Sequence, residues 1–120
     1  MKEIELGEVQ AHFAGIIWAN EPIPSGELVK ICNEQLNWKK STTYTVLKKL
    51  CEKGLFQNIN GIVSSLISEE DFYFEKSDRV IRESFHDSLP AFIAAFASKK
   101  KLADEEIDEI QKIIDSYRKD

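Results

Sequence analysis

The stretch WKKSTTYTVLKKLCEKGLFQNINGIVSSLI, residues 38–67, decides the fold. From about Thr42 to Lys53, Val46, Leu47, Leu50 and Cys51 fall on one helical stripe, with Thr42, Thr45, Lys48, Lys49 and Glu52 away from it. Ser41 is placed as the N-cap of this helix, and Gly54 stands just past its end, where a left-handed residue is wanted. The period then changes. Leu55 to Ile59 and Ile62 to Ile67 flank Asn60-Gly61, a strong hairpin signal because a type I′ turn needs positive φ at both central residues.

Upstream, Leu6, Val9, Phe13, Ile16 and Ile17 recur at helical spacing up to Trp18, and Asn20-Glu21-Pro22 ends that segment. Pro24-Ser25-Gly26-Glu27 opens a second helix with Ser25 as its expected N-cap and Leu28, Val29, Ile31, Cys32 and Leu36 as its apolar face. Three helices followed by a hairpin is the element order of a winged helix-turn-helix, with the second and third helices as the pair. The expected fold class is therefore mainly α with a small β-hairpin wing, a winged helix over residues 1–67 joined to a helical region over residues 68–120.

Downstream, Ser68-Glu69-Glu70-Asp71 begins a helix with acids in its first turn, where the helix dipole favours them. Pro90 suits the first turn of a further helix, and the last starts near Asp104. These three helices are too short to make a good core alone. Unless they fold back on the winged helix, a second copy is the economical cover for Phe85, Leu89, Phe92, Ile93, Phe96, Ile107, Ile110 and Ile114, and a twofold dimer would set two reading helices about one DNA turn apart.

The net charge of −5 argues against a protein that coats nucleic acid nonspecifically. Its distribution is more telling. Residues 1–67 balance seven lysines against seven glutamates, so the whole deficit lies in the C-terminal half. Five of those lysines fall between Lys39 and Lys53, a local basic patch on an acidic protein. On the winged-helix reading Ser41, Thr42, Tyr44, Thr45, Lys48 and Lys49 face double-stranded DNA, and Lys39 and Lys40 are placed for its backbone. Asn58-Ile59-Asn60-Gly61-Ile62 gives the wing no charge, so a structural hairpin and a minor-groove contact through the asparagines both stand.

Other chemistries find no residues to rest on. His12 and His86 have no nucleophile partner, and no phosphate-cradling glycine loop or GxSxG elbow occurs. An enzyme is not expected, nor a cofactor or metal, since Cys32, Cys51 and the two histidines form no ligand cluster. No run approaches the roughly 20 apolar residues of a bilayer span. MKEIELGEVQ has no signal-peptide core, so a cytoplasmic protein without membrane insertion is expected.

Three segments in order resemble the penicillinase-repressor family of bacterial transcriptional repressors: Leu6-Gly7-Glu8-Val9 with Ile16-Ile17-Trp18, the run from Trp38 to Gly54, and Ser88-Leu89 through Phe92 and Phe96 to Asp104-Glu105-Glu106-Ile107. The resemblance implies a homodimer that binds a palindromic operator and represses resistance or stress genes, with DNA contacts at Ser41, Thr42, Thr45 and Lys49. It also implies a regulatory protease as partner, with Ala95–Phe96 as the corresponding bond. The chain departs from the family at Ile62, where a wing arginine is usual, and at Ala95, where β-lactam-responsive members have Asn. It has no cysteine after Cys51, unlike copper-responsive members, and has Ala103 where a Ser or Thr cap is frequent. Two other readings stay open: a winged-helix protein-interaction module without DNA binding, and a metal or redox sensor working through Cys32 and Cys51.

Overall fold

The computed structural model describes residues 3–119. Its elements are α1 (Glu8–Asn20), β1 (Ile23–Pro24), α2 (Ser25–Leu36), α3 (Lys40–Glu52), β2 (Phe56–Ile59), β3 (Ile62–Ser65), α4 (Glu69–Ser84), α5 (Leu89–Lys99) and α6 (Asp104–Ser116). The chain divides into two compact units that meet within α4, the first running to Glu75 and the second starting at Lys76.

The first unit is a winged helix with one more strand than the sequence suggests. β1 pairs antiparallel with β3, which pairs antiparallel with β2, in the order β1-β3-β2. At the wing tip Ile59 faces Ile62 across a two-residue turn, with φ of 53° at Asn60 and 81° at Gly61. Both values are those a type I′ turn demands. Phe56 and Val63 point inward and join Phe13, Ile17, Leu28, Leu50 and Leu55 in the core.

Trp18 binds the elements around the base of the wing. Its ring lies 5.5 Å from Phe56 and 5.6 Å from Phe72 of α4, and its Nε1–H donates to the Ile67 carbonyl at 3.1 Å. That donation satisfies the one polar atom the indole brings into the interior. Glu21 fixes the end of α1 to β3: its Oε1 accepts from the Ser65 backbone N–H at 2.8 Å and from the Ser65 hydroxyl at 2.7 Å.

Several helix starts differ from their expected places. α1 begins at Glu8, so Leu6 precedes the helix, and Val9 is exposed. Pro24, not Ser25, is the N-cap of α2, and Lys39, not Ser41, is that of α3; neither makes a side-chain capping bond. In α2 the reason is that the Ser25 N–H donates to the Gly61 carbonyl of the wing turn at 2.8 Å, which draws Ser25 into the first turn. In α3 the short link from α2 starts the helix earlier, and the Lys39 carbonyl accepts from the Thr43 N–H at 3.1 Å.

The end of α3 follows expectation. Gly54 has φ 87°, its N–H donates to Cys51 O at 3.0 Å, and Leu55 N–H donates to Leu50 O at 3.1 Å. This pair of bonds is the Schellman closure, which occupies carbonyls a helix end would leave open.

In the second unit Ser88 caps α5 by accepting from Ala91 N–H at 3.1 Å, with Pro90 in the first turn. Phe85 meets Phe92 edge to face at 5.3 Å, and Phe92 stacks on Phe96 at 6.0 Å. None of its described residues is fully buried.

A Cβ added at Gly54 would meet nothing within 4 Å. Gly54→Ala therefore costs only the left-handed backbone conformation, about 1 kcal/mol, and a lower urea midpoint at unchanged slope is the expected reading.

Candidate nucleic-acid interface

The short turn between α2 and α3 sets how the two helices meet. Asn37 adopts the left-handed conformation, φ 56°, and the Asn33 Nδ2–H₂ donates to the Trp38 carbonyl at 3.2 Å. Trp38 then packs on Phe13 with ring centroids 5.3 Å apart, so an aromatic pair anchors the turn to α1.

From there α3 divides cleanly. Thr43, Leu47 and Leu50 are buried, each leucine contributing about 1.5–3 kcal/mol of burial. Ser41, Thr42, Thr45, Lys48 and Lys49 are exposed. At 3.6 residues per turn these five occupy an arc of about 120°, opposite the leucines. Lys39 and Lys40, at the N-terminal edge, are exposed as well. Among the described residues no ion pair engages these four lysines. Lys53 differs, because its Nζ donates to the Glu5 carbonyl at 2.9 Å and holds the N-terminal segment. Glu52 is the one acid on the exposed arc, at its C-terminal end.

Tyr44 stands apart from its neighbours. It is half-buried, its ring packs against the core, and its hydroxyl lies 2.9 Å from the Ser25 Oγ. On the sequence alone Tyr44 belongs to the open face and Ser25 to a helix cap. The contact between them joins residues far apart in sequence, and no local pattern signals it. Thr43 is likewise internal, with its Oγ1–H donating to the Lys39 carbonyl at 3.4 Å.

The wing tip carries exposed Ile59 and Ile62, while Gln57 and Ser64 behind them are joined by a 3.2 Å hydrogen bond. The surface next to α3 is thus a neutral hairpin beside a basic, hydroxyl-bearing helix. Such a helix can offer donors to phosphate and base edges together with threonine methyls.

Comparison with known proteins agrees with this architecture. The family described as penicillinase repressor matches residues 6–116. A curated penicillinase repressor from Bacillus licheniformis is 23% identical over 123 residues, covering 98% of this chain and 96% of its own length.

The thiols lie away from the exposed arc. Cys32 is buried, and desolvation raises its pKa, offset in part by a hydrogen bond with Thr43. Cys51 is half-buried, and desolvation together with the Glu52 charge raises it too. Both shifts disfavour the thiolate, the nucleophilic and metal-binding form. Among the described residues no group of three His, Cys, Asp or Glu side chains is placed to hold a metal ion. With an aromatic disulfide reagent at pH 8, both thiols are expected to react more slowly than a free cysteine, Cys32 only as fast as the fold opens; rapid modification of Cys32 in the native protein would revive the redox-sensor reading.

Proposed function

The chain belongs to the penicillinase repressor family, and on that premise we propose that it is a sequence-specific DNA-binding repressor that acts as a homodimer on a palindromic operator. Members of the family are transcriptional regulators and not enzymes. The observation that carries the finer reading is α3 itself, whose leucines are buried while Ser41, Thr42, Thr45, Lys48 and Lys49 stand open together. The helix enters the major groove, with Lys39 and Lys40 against phosphates. Residues 1–67 serve as the DNA-binding domain and residues 68–120 as the dimerisation region.

Dimerisation follows from the second unit. Leu89, Ile93, Phe96, Ile107, Ile110 and Ile114 are each between 38% and 48% exposed, far more apolar surface than a lone helical unit keeps in water. A second copy covers these residues together with half-buried Phe85 and Phe92. Reading a palindrome requires the two α3 helices of such a dimer to lie about 34 Å apart, one DNA turn. One module alone contacts too few base edges for useful selectivity. Repression is by occlusion of the operator, in the cytoplasm, where the DNA is.

A regulatory protease acting at Ala95–Phe96 would end repression by severing the dimerisation region. Both residues are exposed within α5, and the Ala95 carbonyl accepts from the Ser98 hydroxyl at 2.8 Å, so that turn must unwind before cleavage. A protein-interaction module without DNA binding is the second reading, drawn from the uncharged wing, where Ile59 is 56% exposed.

Selection of duplexes from a random pool, followed by gel-shift titration across salt, tests both. Steep loss of affinity with rising salt and an enriched palindrome are expected; no shift with any duplex at low salt would favour the interaction module. Lys49→Ala is expected to weaken binding to the selected duplex by about 1–3 kcal/mol if the lysine reads a base, and unchanged affinity removes it from the interface. Ile110→Asp combined with Ile114→Asp is expected to weaken self-association more than about a hundredfold, seen by sedimentation as a monomer where the native chain is dimeric.

A further inference from the structure

Ser25 touches three elements at once. It is the first residue of α2, its N–H donates to the Gly61 carbonyl in the wing turn at 2.8 Å, and its Oγ lies 2.9 Å from the Tyr44 hydroxyl on α3. Tyr44 is half-buried with its ring held against the core, so its hydroxyl moves only as α3 moves. Side-chain ends lie about 5–6 Å from a helix axis. Rolling α3 by about 15° would displace the hydroxyl by roughly 1.5 Å, enough to break a bond of normal hydrogen-bond length.

We infer that Ser25 and Tyr44 form a latch that fixes the roll of α3 against α2 and the wing turn, and so decides which bases Thr42, Thr45 and Lys49 meet. The inference rests on the DNA-binding reading. It makes Tyr44 a positioning residue and gives Ser25 a role that neither charge nor exposure would suggest. The pair is neutral and part-buried, so it adds nothing to the salt-dependent attraction between protein and duplex; its effect is confined to discrimination among sequences.

The test uses the full chain, a duplex selected by the native protein and a scrambled duplex of equal length, with Tyr44→Phe, Ser25→Ala, their combination, and Ser25→Thr. Each single removal is expected to lower affinity for the selected duplex about five- to tenfold, the worth of one hydrogen bond. Binding to the scrambled duplex should stay as in the native protein, and the thermal midpoint should fall only by the few degrees that one lost hydrogen bond costs, equally in the two single removals. The combined variant should lose no more than either single one, because both remove the same interaction. Ser25→Thr, which keeps a hydroxyl, should restore native affinity. Parallel losses on both duplexes, tracking the thermal midpoint, would reduce the pair to ordinary structural support and overturn the latch. A loss with Tyr44→Phe but none with Ser25→Ala would overturn it in favour of direct DNA contact by the tyrosine. If the native chain selects no sequence, the repressor reading fails and the latch with it; if it does and the variants match it, the latch alone fails.

Discussion

A helix of thirteen residues must serve two surfaces at once, and the rest of the first unit is arranged around that constraint. Leu47 and Leu50 can be buried only if α1, α2 and the sheet close over one side of α3, and the opposite side can be offered outward only if that closure stops there. The helical repeat makes the division possible, since residues three and four apart share a face. Phe13, Leu28, Leu55 and Phe56, all essentially without exposure, form the wall against which α3 rests. A polar group at position 47 or 50 would lose this support whatever became of the lysines.

The sheet contributes more by fastening than by bulk. Four inter-element bonds fasten β3 at its two ends: Ser25 N–H on Gly61 at the wing turn, and Ser65 N–H and hydroxyl on Glu21 with the Trp18 indole on Ile67 at the base. Each engages a polar group that would otherwise be costly to cover. The second unit follows a different rule. Its aromatic contacts among Phe85, Phe92 and Phe96 give local order, yet apolar faces on α5 and α6 remain open, as suits an element completed by the proposed association with another copy.

Most of this was legible in the residues because it depends on short-range pattern. The stripe on α3, Gly54 at its end and Asn60-Gly61 at the wing tip each obey local stereochemistry, and their φ values agree. What escaped depends on distant partners. β1 is two residues long and contains a proline, so neither alternation nor β propensity could reveal it; only pairing with β3 defines it. Ser25 and Ser41 have the composition of caps, but the wing turn and the tight link between helices move both helix starts. Tyr44 reads as exposed by periodicity, yet a long aromatic side chain can bend from the rim of a helix to meet a neighbour. Val9 fits the apolar repeat of α1 and is 57% exposed, because the sequence shows the spacing and not the extent of the surface that covers it.

The separation of tasks along α3 has an evolutionary consequence. The side chains of Thr42, Thr45, Lys48 and Lys49 are exposed, whereas Thr43, Leu47 and Leu50 hold the helix in place. Exposed positions of this kind usually accept substitution within about 0.5 kcal/mol of folding stability. On the DNA-binding reading proposed above, a descendant gene could therefore acquire a new target by changing the outer residues one at a time, each intermediate still folded, while the scaffold stays under separate selection. Paralogues sharing one backbone but addressing different promoters are the natural product of such an arrangement.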